Sequence, residues 1–364
     1  MGGWPTACAM LALAGCSFEH GVAPDELGSD GGYQDAVGTG LDGAIGSSCY
    51  GPAAGAWRVC LGSVPTGGVM LPPTLDTTTS MLCLQAQPAE WTTSGQPPAC
   101  FVVGDAIQTS KTVVTGSRPL VLLSSGTITI GSLDLASHAD SSATGPGADP
   151  SVCKPFAANP QTGDGNGGGA AGSFMTKGGD GGDGHDGDEK GGRAATADGT
   201  APAVLRGGCR GQKGGGFSGG AGGHGGGAAY LVAATSIMVT GTINASGAGG
   251  SAGNNNKPGG GGAGSGGMIV LYAPLIGVTG TVFANGGGGG GGGDGDGSPG
   301  DDPLFAGVTA GGGSPAGGDG YALSVNATSG GRDKDGGGGG GGGAGYIRSN
   351  LTIGATSPAA DIVP

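Results

Sequence analysis

Two near-copies of one segment in the second half of the chain constrain its fold more than any other feature. Residues 230–247 read YLVAATSIMVTGTINASG, residues 269–286 read IVLYAPLIGVTGTVFANG, and the two align without a gap at an offset of 39 residues. A repeat of roughly 20–50 residues is typical of solenoids and arrays. Each copy lies between glycine tracts. We therefore interpret the segment as a unit that stacks on its own copies.

The unit has the pattern of β-strands. It is rich in Val, Ile and Thr, and its apolar residues alternate at Ile237 and Val239. Two strands, Tyr230–Ala233 and Ile237–Ile243, are expected to meet at a corner of small residues. Strands this short bury no core by themselves, so neighbouring units must stack. The prediction is an all-β fold built as a short right-handed parallel β-helix.

Two looser copies extend the predicted stack. Residues 120–137 match the unit when Ile128 is placed on Ile237 with one deletion, and residues 345–353 form a truncated last copy. Terminal repeats are expected to differ from the rest because they cap the stack.

The region before the first copy differs in composition from the repeats. Residues 49–115 contain less glycine and more proline, tryptophan and cysteine, which predicts an N-terminal cap of turns and short strands. A solenoid needs such a cover because an open sheet end invites edge pairing. Residues 101–107 and 112–114 are predicted as the first strands that lead into the stack. The glycine-rich β-helix domain is expected to span residues 116–364.

The beginning of the chain resembles a bacterial lipoprotein leader. An apolar run ends in Leu13-Ala14-Gly15-Cys16, which is similar to the lipobox, whose cysteine is lipidated and becomes the new N-terminus. The resemblance implies a signal peptide over residues 1–15, lipidation of Cys16 and, because Ser17 follows, the outer membrane. An ordinary apolar N-terminal run is the alternative. Residues 16–48 are polar and aperiodic, which indicates a flexible tether.

Six cysteines follow Cys16, and an even number behind an export signal indicates three structural disulfides. A zinc site would need closely spaced cysteines, and no Cys-x-x-Cys motif occurs. The sequence leaves the pairing open, but the order along the chain favours neighbours. The candidate pairs are Cys49–Cys60, Cys83–Cys100 and Cys153–Cys209.

Glycine accounts for 95 of the 364 residues and is concentrated in long tracts between the repeats. Runs of eight glycines occupy residues 286–293 and 336–343, and glycine recurs every third residue at Gly178, Gly181 and Gly184. A period of three fits a polyproline-II-type helix, which has three residues per turn. Two interpretations stay open: a packed glycine bundle beside the β stack, or long flexible excursions.

The charge balance excludes some partners. A net charge of −13 argues against nucleic acids and anionic membrane surfaces, so membrane contact is expected only through the lipid anchor. Residues 181–186 (GGDGHD) begin like a calcium-binding nonapeptide, whose carboxylate oxygens suit a hard cation. The speculative Ca²⁺ ligands are Asp183, Asp186 and Asp188. A solvated acidic surface is the alternative.

Motifs for catalysis are missing from the sequence. It contains no Gly-x-Ser-x-Gly, His-Glu-x-x-His or Walker motif, and we predict no enzyme activity and no cofactor. The first alternative is a β-helical carbohydrate-active enzyme, which would need two facing carboxylates, whereas Asp134 alone stands out on the β segments. His138 is expected to be a turn residue. The second alternative is a Ca²⁺- or ice-binding module, whose flat face would carry Thr240, Thr242, Thr279 and Thr281.

Several stretches resemble the glycine-rich surface lipoproteins of myxobacteria and related bacteria. Besides the lipobox, they are residues 116–122 (GSRPLVL), the repeat 241–247 (GTINASG) and the close at 344–348 (AGYIR). The β units are also similar to those of haemagglutinin-type adhesins. These resemblances imply a cell-surface protein with a structural or adhesive role, whose partners are envelope or extracellular polysaccharide or protein surfaces. They imply no catalytic residue.

Overall fold

The computed structural model describes residues 48–293, 295 and 297–363. By internal contacts the chain divides into two units, residues 1–43 and 44–364, and every described residue belongs to the second. The predicted signal peptide, Cys16 and the tether up to residue 47 lie outside the described residues. A search of the described residues finds no helix with the length and apolar character needed to cross a membrane.

The regular secondary structure of the described residues is almost entirely β, with one helix of five residues, α1 (Ala89–Thr93), and one 3-10 turn (His185–Gly187). The strands are β1 (Ser48–Tyr50), β2 (Val59–Leu61), β3 (Gly68–Met70), β4 (Thr74–Asp76), β5 (Cys100–Thr109), β6 (Thr112–Thr115), β7 (Leu120–Asp134), β8 (Ala228–Ala233), β9 (Ser236–Asn244), β10 (Met268–Tyr272), β11 (Leu275–Val278), β12 (Thr281–Phe283), β13 (Tyr346–Ser349), β14 (Thr356–Ser357) and β15 (Asp361–Ile362).

Thirteen of these strands form one curled sheet in which the neighbouring strands are parallel, while β1 and β2 form a separate antiparallel hairpin. The curl is clearest at β7, the longest strand. Its first part pairs with β8 and its second part with β9, so the chain turns a corner between them. The strands β10, β11 and β12 then repeat this path against β8 and β9. The sheet begins at β3, inside the region predicted as the cap.

The register confirms most of the repeat alignment and corrects one part of it. Ile128 lies opposite Ile237, as predicted, and the single deletion falls at a register shift between Ile130 and Ser132. Strands β9 and β11 also pair at the expected offset, with Ile237 opposite Ile276. The gap-free alignment is wrong for the first strand of the unit, however.

In that first strand, Tyr230 lies opposite Val270 rather than Ile269. The corner before β11, which contains Pro274, is one residue shorter than the corner before β9. A shift of one residue exchanges the two faces of a strand. Leu231 therefore stacks on Leu271 in one core, and Tyr230 and Val270 share the opposite face.

The curled sheet is buried on both faces along the first part of β7 and along β8 and β10. The concave face holds aliphatic columns, such as Ile107, Ile128 and Ile237, which are all fully buried. The opposite face carries aromatic side chains, with the Trp91 ring of α1 packed edge-on against Phe101 at 5.2 Å. Parallel strands buried on both faces need such continuous apolar runs.

Three disulfides join distant parts of this fold. They link Cys49 to Cys60, Cys83 to Cys100 and Cys153 to Cys209, which are the pairs that sequence order favours. The first closes the β1–β2 hairpin, the second ties a loop to the start of β5, and the third joins two segments of the glycine-rich region. Cross-links of this kind act mainly by restricting the unfolded chain.

The glycine tracts are packed segments wherever the structure describes them. They form a packed bundle rather than flexible excursions. Residues 336–345, which we call the central glycine segment, hydrogen-bond through their backbone to six other segments. Successive bonds to one neighbour lie three residues apart: Gly337, Gly340 and Gly343 all donate to the same stretch. The six neighbouring segments are 166–175, 179–182, 260–266, 284–290, 318–321 and 328–331.

Close approach between these segments leaves no room for side chains. A Cβ added at Gly339 would overlap the carbonyl oxygen of Gly261, and one added at Gly262 would overlap that of Ala170. The backbone amides and carbonyls are therefore satisfied by their neighbours rather than by water. The glycine composition is a requirement of this packing, and the backbone entropy that glycine loses on folding is its cost.

Candidate functional site

An open cleft lies where the β1–β2 hairpin meets the end of the sheet. Its walls are mostly aromatic and aliphatic, with one guanidinium group. The loop of the hairpin supplies Pro52 and Trp57, and strands β8, β10 and β13 supply most of the remaining wall. The other lining residues are Tyr230, Val270, Leu271, Tyr272, Arg348, Ser349, Asn350 and Val363.

The parallel register places the central side chains of the cleft in a row. Tyr230, Val270 and Arg348 lie opposite one another on three adjacent strands. In the preceding strands the same column holds Phe101 and Val121, so it is apolar until β13. The arginine therefore follows four buried apolar or aromatic positions in this column, and Asp361 of β15 occupies the position after it.

The hairpin positions Trp57 over this row. The Tyr230 hydroxyl donates a hydrogen bond of 2.9 Å to the Trp57 carbonyl oxygen, and the two rings meet edge-on at 5.5 Å. Gly51 has a φ of +94°, and a Cβ there would lie 2.6 Å from the Trp57 carbonyl oxygen. Burial raises the pKa of Tyr230, which stays a neutral donor. Trp57 and Tyr272 are half-buried, so their rings remain accessible from the cleft.

Arg348 is incompletely satisfied within the described part of the chain. Its Nη1 donates one long hydrogen bond, 3.4 Å, to the Pro202 carbonyl oxygen, while its Nε is buried without a partner. The guanidinium carbon lies 5.6 Å from the centre of the Trp57 ring, within the range of a cation–π contact. Arg193 and Arg206 each form an ion pair with an aspartate, whereas no described carboxylate lies within 4.0 Å of Arg348. Tyr346, on the same face, also has a buried unpartnered hydroxyl, and burial raises its pKa to about 12.

The predicted calcium ligands are not assembled as a site by the described side chains. The Asp183 carboxylate accepts hydrogen bonds from Lys190 Nζ at 3.1 Å and from the Gly191 amide at 3.0 Å. Burial by itself would raise the pKa of Asp183, but these donors outweigh it and lower the pKa. The Asp188 side chain is 85% exposed and lies 3.9 Å from His185. The side chain of Asp186 is outside the description.

Among the described residues, one group of three side chains lies close enough together to share an ion, namely Cys49, Cys60 and Glu90. The two sulfurs of this group are joined in a disulfide and cannot act as thiolate ligands.

Asp134, the carboxylate that stands out in the sequence, lies beside His138 and Asp302. His138 Nε2 is 3.1 Å from Asp134 and Nδ1 is 3.4 Å from Asp302. Asp302 also accepts the Ala139 and Gly249 amides, so the cluster ties the end of β7 to the glycine segments. Sequence reasoning missed Asp302, because no local pattern relates it to His138.

The hydrogen bonds to Asp134 and then to Asp302 raise the pKa of His138 to about 10. This pKa exceeds the ordinary histidine value of ~6.5. The stabilisation of the folded state by protonated His138 is therefore complete below about pH 6.5 and is lost as the pH rises through about 10. We expect the free energy of unfolding to fall by about 2 kcal/mol across that range after solvent screening. Denaturant unfolding at several pH values tests this. His138→Gln should abolish the fall, whereas His185→Gln, at a more exposed histidine, should preserve it; an unchanged fall in His138→Gln would contradict the assignment.

The threonines proposed for a flat binding face are engaged with the neighbouring strands. The Thr240 hydroxyl donates to the Ile130 carbonyl oxygen at 3.2 Å, and the Thr279 hydroxyl to the Val239 carbonyl oxygen at 3.5 Å. Thr242 shares a hydrogen bond with Ser132 at 3.1 Å and lies opposite Thr281. These contacts join successive strands of the sheet.

Comparison of the chain with protein-family models, curated proteins and solved structures gave no match.

Proposed function

We propose that this is an exported, lipid-anchored surface protein with a structural and adhesive role, which contacts polysaccharide through the cleft between the hairpin and β13. The observation that carries the proposal is the accessible pair of rings, Trp57 and Tyr272, beside the guanidinium of Arg348. Aromatic faces pack against the apolar faces of sugar rings, and an arginine fork donates to sugar oxygens. Sugar binding by these rings and this guanidinium needs no catalytic carboxylate.

The scaffold supports a role at a surface. Three disulfides favour an oxidising compartment outside the cytoplasm. The central glycine segment is hydrogen-bonded on all sides, and such a lattice resists local opening. The resemblance to myxobacterial-type surface lipoproteins and to adhesins, together with the lipobox at Cys16, points to the outer membrane and to envelope or extracellular partners.

We also infer the finer form of the fold. The succession of parallel strands around corners, with each set stacked on the one before, supports a short parallel β-helix. Right-handed crossovers are the rule for parallel strands, which favours that hand. The hydrogen-bond step of three residues supports polyproline-II-type glycine segments.

Affinity electrophoresis through soluble polysaccharides tests the adhesive role. We expect retention by at least one polysaccharide, reduced at least about tenfold in affinity by Trp57→Ala, because a central aromatic anchor often contributes ~2 kcal/mol or more. Phe217→Ala is the matched control, since that ring is fully exposed and outside the cleft. Equal loss of affinity in both variants, or no retention of the wild type by any polysaccharide, would contradict the proposal.

Surface location has its own test. In cells, Cys16→Ala should release the protein from the membrane fraction, and added protease should digest the wild type on intact cells. A protein that stays membrane-bound without Cys16, or is protected until lysis, would contradict the location.

A β-helical carbohydrate-active enzyme remains the alternative, and the Asp134–His138–Asp302 cluster is the feature that favours it. It predicts new reducing ends or unsaturated products when polysaccharide is incubated with the protein, and their loss in Asp134→Asn. The adhesive role predicts binding without cleavage. A rise of melting temperature with millimolar Ca²⁺ would instead favour the cation-binding alternative.

A further inference from the structure

We propose that the cleft selects carboxylated sugars, and that Arg348 binds the carboxylate of a hexuronate residue whose ring packs against Trp57. This inference rests on the proposed polysaccharide contact and names the class of sugar. Its basis is the combination, in one cleft, of aromatic rings and a guanidinium with no described carboxylate within 4.0 Å.

The guanidinium of Arg348 lacks a full set of hydrogen-bond partners and a counter-charge among the described residues. A buried N–H group without a hydrogen-bond partner is unfavourable, and so is a partly buried charge without a counter-charge. Arg348 has both features among the described residues, with Nε unpartnered and only one long hydrogen bond from Nη1. An arginine stays charged at every physiological pH, so the deficit cannot be relieved by deprotonation. A carboxylate ligand bound at the two Nη atoms would supply the missing charge.

The shape of the guanidinium also favours a carboxylate ligand. A guanidinium fork matches the two oxygens of a carboxylate and forms two parallel, charge-assisted hydrogen bonds. A hexuronate holds its carboxylate at the edge of a sugar ring. With 5.6 Å between the Arg348 guanidinium and the Trp57 ring centre, one sugar can contact the indole and direct its carboxylate to the arginine. Tyr272 provides a second ring in the same cleft.

The charges around the cleft affect how strongly an anionic ligand binds. The chain carries a net charge of −13, so a polyanion is repelled by most of its surface. Among the described carboxylates, Asp361 of β15 lies opposite Arg348 in the register, although it forms no ion pair within 4.0 Å. Asp361 is exposed and should compete with the ligand for the guanidinium. Removing its charge should therefore strengthen binding of a carboxylated sugar.

The test compares tetragalacturonate with its fully methyl-esterified form, because esterification removes the charges and keeps the sugar chain. Isothermal titration of the wild-type protein should give at least about tenfold tighter binding of the acid form, as expected for a charge-assisted hydrogen-bonded pair. Arg348→Gln should remove this preference and leave the binding of the ester nearly unchanged. Trp57→Ala should weaken both ligands.

Two further variants make the result independent of any folding defect in Arg348→Gln. Asp361→Asn should tighten binding of the acid form several-fold with no effect on the ester. Arg332→Gln is the control for loss of a cation, since Arg332 is exposed and outside the cleft. Every variant is first compared with the wild type by its melting curve.

The outcomes separate this inference from the proposed function. Equal affinity of the wild type for acid and ester overturns the selection of carboxylates. So does a preference for the acid that survives Arg348→Gln or is also lost in Arg332→Gln. Each of these results leaves polysaccharide binding in place. If Arg348→Gln does not fold, the absence of any effect of Asp361→Asn overturns it. Binding of neither oligosaccharide overturns the uronate inference, and absence of retention by every polysaccharide overturns the proposed function as well.

Discussion

Replacing Gly339 by alanine is expected to lower the free energy of unfolding by about 3 kcal/mol or more. Its Cβ would overlap the carbonyl oxygen of Gly261 in a rigid neighbouring backbone. Overpacking a well-packed interior typically costs ~1–3 kcal/mol, and here no flexible side chain can move aside. Denaturant unfolding followed by circular dichroism measures the loss.

Gly307→Ala provides the matched control. Gly307 lies in the same glycine-rich half, but a Cβ there would meet only a side-chain carbon of Leu323 at 3.9 Å. The substitution should change the free energy of unfolding by less than about 1 kcal/mol, since alanine also restricts the unfolded chain. If both variants unfold like the wild type, the glycine segments are not packed as described.

Removal of the Cys153–Cys209 disulfide, through serine at both positions, is expected to be the second large effect. The two residues are 56 apart, the widest span of the three disulfides. The entropy of closing a loop of this length corresponds to about 4 kcal/mol of stability. The same denaturant experiment tests it, with the reduced and oxidised wild type beside the variant.

The shorter cross-link between Cys49 and Cys60, which are 11 residues apart, is the comparison. Its removal should cost about 3 kcal/mol, and the loss should centre on the hairpin that carries Trp57. A larger effect from Cys49–Cys60 than from Cys153–Cys209 would argue that strain or local structure, rather than loop length, dominates. Loss of polysaccharide binding in the hairpin variant alone would place the cleft where we describe it.

The strands and their stacking were accessible from sequence because the repeat is local and apolar. Ile128, Ile237 and Ile276 could be aligned by pattern, and they do stack in one core. The one-residue shift at β10 was not accessible, since it depends on how the corner at Pro274 is shortened. That shift decides the composition of the cleft, because it brings Tyr230 and Val270 into one row with Arg348.

The site residues were less predictable than the strands. Arg348 is an isolated arginine in the sequence, and Trp57 belongs to a hairpin nearly 300 residues away. Nothing local relates them, and only the parallel pairing of β8, β10 and β13 beneath the hairpin brings them together. The same holds for Asp302, which reaches His138 across the glycine segments.

The amino-acid sequence by itself determined the all-β class, the stacking unit and the three-residue glycine period, and it favoured pairing of neighbouring cysteines. These properties follow from side-chain alternation, from apolar content and from the absence of Cβ atoms, which act over a few residues. The tertiary structure alone decided that the glycine tracts pack into a hydrogen-bonded bundle and that Arg348 lies beside Trp57. Those outcomes depend on which distant backbones approach one another, and no property of a single segment specifies that approach.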